Sequence, residues 1–311
     1  MGILDNAILA SYLASAVRLT TPIGLPAIGA VVSERSGVIN IGLEGMMLVG
    51  ALASVVGSHY LGDPWMGLVA AMGAGALMGL LLAYSSISLG ATQIVAGVAI
   101  NVLAFGLTTV LARTLLRSAG IEQVPAFLPI RPPILSRLPL LGPAIFTQNP
   151  MVYLMLILAV ALTLFLFRTP WGLALRAAGE YPRAADTAGI NVIRVRYFAV
   201  TLSGVFAGMG GAFLSLGQLN LFTENMTAGR GFIALAAVIF GKWNPLGALA
   251  AAFLFGAADA LQLLVQTHNL GIPYQFLLML PYVLSILALA GVVGHTAGPA
   301  AAGQPYGAED G

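Results

Sequence analysis

Apolar runs alternate with short polar breaks, marked by glycine or proline, along most of the chain. The runs fall at 7–32, 42–58, 65–88, 91–112, 150–167, 197–220, 230–241, 246–267 and 274–293. Most approach the ~20 residues an α-helix needs to cross a bilayer core, which predicts about nine membrane segments. The run 230–241 is much shorter, the size of a re-entrant or broken helix. The pattern therefore predicts an all-α fold, a polytopic transmembrane helical bundle of about 8–10 spans with broken or re-entrant elements.

One break differs from the others. Residues 33–45 read Ser33-Glu-Arg-Ser-Gly-Val-Ile-Asn-Ile-Gly-Leu-Glu-Gly45, polar and glycine-punctuated, between two segments of membrane-spanning length. Non-helical backbone at membrane depth must be buried in protein or line a wet cavity, because lipid offers no hydrogen bonds. That requirement makes the break a functional candidate.

Composition narrows the function. The 311 residues are 59% hydrophobic and 8% charged, which excludes a soluble core. Without cysteine there is no disulfide, thiolate chemistry or cysteine-based zinc site. His59, His268 and His295 are too far apart in sequence to suggest a metal cluster, and a net charge of +2 implies no nucleic-acid surface. The N-terminus has no basic signal-peptide region, so the first apolar segment is expected to be retained. A transmembrane domain is assigned to 1–293. The Gly/Ala/Pro-rich residues 294–311 are expected to form a disordered tail.

Two loops are long enough to leave the bilayer, 113–149 and 168–196, and the single span between them places them on opposite sides. In the second, Tyr181-Pro-Arg-Ala-Ala-Asp-Thr-Ala-Gly189 has the punctuation of a short surface helix. Proline stands in the first turn and glycine just past the end, where φ > 0 is expected.

Polar residues within the spans are candidates for lining a solute path: Asn40, Glu44, Gln93, Asn101, Gln218, Asn220, Asp259 and Gln262. A carboxylate at mid-membrane costs ~2.5–3.5 kcal/mol, so Glu44 must face a cation, a wet cavity or a helix N-terminus. Arg35 and Arg18 are the candidate cations. The carboxamides of Asn40 and Asn101 can donate and accept, either to a nucleoside or between helices. Trp65 and Trp243, beside Asp63-Pro64 and Asn244-Pro245, are expected to anchor span ends at the interface. An ion-coupled secondary transporter would use the same layout, with Glu44 and Asp259 as coupling groups. No nucleophile–base pair stands in the spans, which favours passage over chemistry.

Ser33-Glu-Arg-Ser-Gly-Val-Ile-Asn-Ile-Gly-Leu-Glu-Gly-Met-Met47 resembles the signature of permease subunits of ABC importers for nucleosides and simple sugars, within the ribose and branched-chain amino-acid permease group. Gly90-Ala-Thr-Gln-Ile-Val-Ala-Gly-Val-Ala-Ile-Asn101, Gly179-Glu-Tyr-Pro-Arg-Ala-Ala-Asp-Thr-Ala-Gly-Ile-Asn191 and the stretch Thr227 to Pro245 extend the resemblance to about residue 260. The resemblance implies a multi-pass protein of the bacterial plasma membrane. It also implies a dimer of permease chains, often different ones, with two cytoplasmic ABC ATPases and an external or periplasmic substrate-binding lipoprotein. ATP would be hydrolysed elsewhere, in keeping with the lack of a Gly-x-x-x-x-Gly-Lys-Ser/Thr loop here. It further implies that 168–196 is the cytoplasmic coupling loop, with Glu180, Arg183, Ala184, Ala185, Asp186 and Gly189 meeting the ATPase. Asn40, Glu44, Gln93 and Asn101 are then the expected substrate path.

Overall fold

Four helix starts are written as a capping residue followed by proline: Asp63-Pro64, Asn149-Pro150, Thr169-Pro170 and Asn244-Pro245. In each pair the side-chain oxygen accepts an amide of the first turn, and proline fills a position whose own amide would have no partner. The computed structural model describes residues 6–116, 120, 123–132, 142–267, 279, 283 and 298–306. Among these, all regular structure is helical.

The helices are α1 (Asn6–Arg35), α2 (Leu43–Leu61), α3 (Pro64–Ala83), α4 (Gln93–Leu111), α5 (Pro150–Arg168), α6 (Pro170–Glu180), α7 (Pro182–Thr187), α8 (Val192–Ala212), α9 (Arg230–Phe240) and α10 (Pro245–Thr267). π-helical turns extend α3, α4 and α8 to Ser88, Leu116 and Leu219. Six of these are long and apolar enough to cross a membrane: α1, α5, α10 and the extended α3, α4 and α8. Three of the nine expected segments are not among these six. α2 has the length, but Glu44 at its start and His59 near its end dilute its hydropathy. α9 has only 11 residues, the short element expected from the sequence. The ninth run, 274–293, lies outside the described residues apart from Met279 and Val283.

α1 and α8 are the centre of the bundle. Their apolar windows are 78% and 83% buried, against 28% for α4, whose outer face presents Val95, Val102 and Phe105 toward lipid. α8 packs on α1, α2 and α3, and α1 also contacts α9 and α10. Small residues allow this closeness: Gly50, Gly75, Gly204, Gly208 and Gly211 put the backbones of α2, α3 and α8 in direct contact. At one end of the bundle, residues 123–132 cross the tips of α2 and α8 through Val124 N–H to Asn220 O, Phe127 N–H to Leu216 O and Ser58 Oγ to Pro125 O. At the other end, α6 and α7 form a projecting knob.

Candidate functional site

The break between α1 and α2 is non-helical, as its sequence requires. α1 closes at Gly37 (φ 92°), with the Ser33 and Ser36 hydroxyls bonded back to Val38 O and Ser33 O. Val38 N–H still bonds Ser33 O, but from Ile39 to Gly42 the chain leaves the helix and needs partners from elsewhere. α4 supplies them. Gln93 Oε1 accepts from Ile39 N–H at 2.7 Å and its Nε2 reaches Gly37 O at 3.4 Å. Two turns along the same helix, Asn101 Oδ1 accepts from Gly45 N–H at 2.8 Å and its Nδ2 donates to Ile41 O at 3.0 Å. Two carboxamides thus replace the solvent that the break would otherwise need. Replacing Asn101 by Ala leaves one donor and one acceptor unpaired, at about 1–3 kcal/mol each. A lowered melting temperature of the purified chain in detergent is the expected result.

Asn40 points the other way, toward α8. Its Nδ2 donates to Ser203 Oγ at 3.0 Å, while Oδ1 is fully buried and has no donor.

Glu44 does not pair with Arg35 or Arg18. Its two carboxylate oxygens accept the amides of Gly229 and Gly231 at 2.8 and 2.7 Å, at the N-terminus of α9. An anion is favoured there because the first amides of a helix are unpaired and carry partial positive charge. Gly229 holds φ at 85°, and a side chain on Gly231 would lie 2.5 Å from Glu44 N. The sequence Thr227-Ala-Gly-Arg-Gly231 is therefore the partner of Glu44, joined to it only by folding. Both oxygens are engaged, so Glu44 ties the start of α2 to the N-terminus of α9.

The far end of α9 is held by the same region of the chain. Glu34, buried in α1, accepts the Trp243 indole N–H at 2.6 Å. Arg35 donates from Nε to Trp243 O at 2.8 Å and from a terminal nitrogen to Lys242 O at 3.4 Å. These bonds hold Lys242 and Trp243 at φ 55° and 52°, an arrangement unusual for residues with side chains. Trp243 is half-buried and tied to α1 by these bonds, whereas Trp65 is exposed and meets Phe127 edge-on.

The knob follows its punctuation. Pro182 opens α7 and Gly189 follows it with φ 86°. Arg183, Ala184, Asp186 and Ala188 are exposed, but Ala185 is turned inward against Ala178 and Val192. The expectation of an exposed Ala185 is corrected, because on a two-turn helix one side must rest on α6 and α8. Glu180 is also engaged, accepting the Ala300 amide at 3.2 Å.

That contact corrects the reading of the C-terminal segment. Within 294–311, the described residues 298–306 are not a disordered tail but a docked strap. Ala301 N–H donates to Gly179 O and Gly303 N–H to Gly37 O. The sequence alone assigns no role to Arg196. It is 1% exposed, with Nε donating to Ser36 O at 3.1 Å, Nη1 to Gln304 O at 3.1 Å, and its guanidinium 5.7 Å from the centre of the Tyr306 ring. Desolvation, reinforced by the hydrogen bond and charge of Asp186, raises the Tyr306 hydroxyl above the usual tyrosine pKa. The signal that could have revealed Arg196 is its position, an arginine entering an apolar run.

A bundle of membrane-length helices, with a broken element braced at its centre and a helical knob at one end, defines a multi-pass membrane permease. The chain belongs to the family of permease components of branched-chain amino acid transport systems, whose profile matches residues 12–299. It is 45% identical over 298 residues to the guanosine ABC transporter permease protein NupQ of Bacillus subtilis (strain 168), covering 92% of each chain. It is 39% identical over 299 residues to the nucleoside ABC transporter permease protein NupC of Lactococcus lactis subsp. cremoris (strain MG1363), covering 92% of this chain and 93% of the relative. To the putative glucose ABC transporter permease protein TsgC13 of Haloferax volcanii it is 39% identical over 267 residues, covering 85% of this chain and 80% of the relative. No solved structure matches.

Proposed function

We propose that this chain is a membrane-spanning subunit of an ABC importer for nucleosides, working in the plasma membrane. It would act with two ATPase subunits at the knob, a second permease chain, and an external binding protein that delivers the solute. The observation that carries this reading is the identity to the two nucleoside permeases over 92% of this chain. A simple sugar is the second reading, favoured by the similarity to the glucose permease.

In this reading residues 168–196 face the cytoplasm and 113–149 the exterior. Arg183, Ala184 and Asp186 meet the ATPase directly, while Glu180, Ala185 and Gly189 shape the surface that presents them. The polar path follows the break. Asn40 has acceptor capacity to spare for a passing hydroxyl or base N–H, while Glu44, Gln93 and Asn101 keep the break in shape. Selectivity rests mainly with the binding protein.

Replacing Gly189 with Val tests the knob without touching the bundle. A Cβ there meets nothing within 4 Å, so the cost is confined to the left-handed backbone, about 1–2 kcal/mol. The variant is expected to insert normally and to lose uptake, measured beside membrane abundance. Wild-type uptake by this variant would remove the knob from the mechanism.

The function itself is tested by uptake of labelled guanosine, uridine and ribose into vesicles carrying the assembled transporter, with and without the ATPase. Nucleoside uptake that disappears without the ATPase is the expected result. Uptake driven by a proton gradient alone would overturn it.

A further inference from the structure

The strap 298–306 touches the turn after α9, the end of α6, the start of the break and α8. Gly298 lies against the Trp243 indole. Ala300 N–H bonds Glu180 and Ala301 N–H bonds Gly179 O, at the end of α6. Gly303 N–H bonds Gly37 O at 3.1 Å, at the start of the break. Tyr306 packs against the cluster of Ala178, Ala185 and Val192 beneath α7 and covers Arg196 of α8 with its ring.

Arg196 is where these contacts converge. A buried guanidinium with no carboxylate partner is costly, and here it is satisfied by two backbone carbonyls and an aromatic face, with Nη2 left over. Both carbonyls belong to segments that lack regular structure, one in the break and one in the strap. Knob and break also meet directly where Gly179 packs against the backbone of Arg35 and Gly37.

We propose that the C-terminal strap, clasped by Arg196 as a positioning residue, carries displacement of the coupling knob to the break between α1 and α2. The proposal rests on the reading of 168–196 as the ATPase-coupling segment. Without the strap, the knob moves but the break does not follow, and ATP hydrolysis is uncoupled from passage.

The chain has no cysteine, so two introduced thiols report without background. Spin labels at Leu254→Cys on α10, which packs on α1, and Tyr60→Cys at the far end of α2, both exposed, report movement across the break and are measured in the assembled transporter with and without ATP. The wild-type background should show a nucleotide-dependent distance change. Ending the chain at Ala297 should reduce that change by roughly half or more while the ATPase stays bound and turns over ATP. Arg196→Met, which keeps the apolar stem, should reduce it similarly, and Arg196→Lys should restore part of it. An unchanged shift after truncation overturns the strap proposal and leaves the knob reading standing. Loss of ATPase binding on truncation also overturns it, making the strap a docking element. No shift in the wild-type background means that the coupling reading itself fails, and the strap proposal with it.

Discussion

Glu44→Gln is expected to reduce uptake by roughly tenfold or more and to lower the melting temperature of the purified chain, although glutamine has nearly the size and shape of glutamate. The carboxylate accepts two amides, from Gly229 and Gly231. Glutamine offers one acceptor oxygen and turns an NH2 group toward the second amide, setting donor against donor. The loss of a charge-assisted bond and the unpaired amide together cost about 3 kcal/mol. Glu44→Asp is no rescue, because the shorter side chain withdraws the carboxylate from α9. The measurements are thermal unfolding in detergent and ATP-dependent uptake. A glutamine variant that melts and transports like wild type would mean that Glu44 does not hold α9.

The second large effect concerns packing without polarity. Gly211→Leu is expected to prevent accumulation of the folded chain. A Cβ at this position would overlap the carbonyl oxygen of Met47 and lie 2.8 Å from Ala51 N. Both obstacles are α2 backbone, so no side chain can rotate away. The two helices must separate, costing about 3 kcal/mol or more. Gly73→Leu and Gly106→Leu add the same apolar bulk at exposed helix positions where a Cβ meets nothing within 4 Å, and they should accumulate normally. Membrane abundance and monodispersity of the three variants give the comparison. Equal behaviour would show that close approach of α2 and α8 does not limit folding.

The parts of this molecule legible in its sequence are those set by local chemistry. Apolar run length located α1 to α5 and α8 to α10, and the short run 230–241 announced α9. Proline at 182 and glycine at 189 marked α7 and its left-handed end. The polar stretch 33–45 is a break because no helix-forming pattern passes through Ser36-Gly37-Val38. The illegible parts depend on contacts across the fold. Glu44 is nearly two hundred residues from its amides, and nothing near it in sequence distinguishes a helix N-terminus from an arginine as its partner. Trp243 was read from its place at a span end, whereas Glu34, from a distant helix, decides its environment. The C-terminal segment has the composition of a loose tail, yet its backbone amides dock on carbonyls at Gly37 and Gly179, and composition does not register backbone contacts. Gln93 and Asn101 looked like path-lining groups because amide side chains in a membrane suggest solute. Here they answer the unsatisfied backbone of the break.

α9 is suspended at both ends from one short stretch of chain, Glu34 and Arg35 at one end and Glu44 at the other. Its 11 residues span about 16 Å, and the break must reach the same distance. The two lengths are therefore set against each other like a strut and its frame. An insertion in either is tolerated only with a matching change in the other. In a chimera of related permeases, 34–44 and 229–243 would have to be exchanged together.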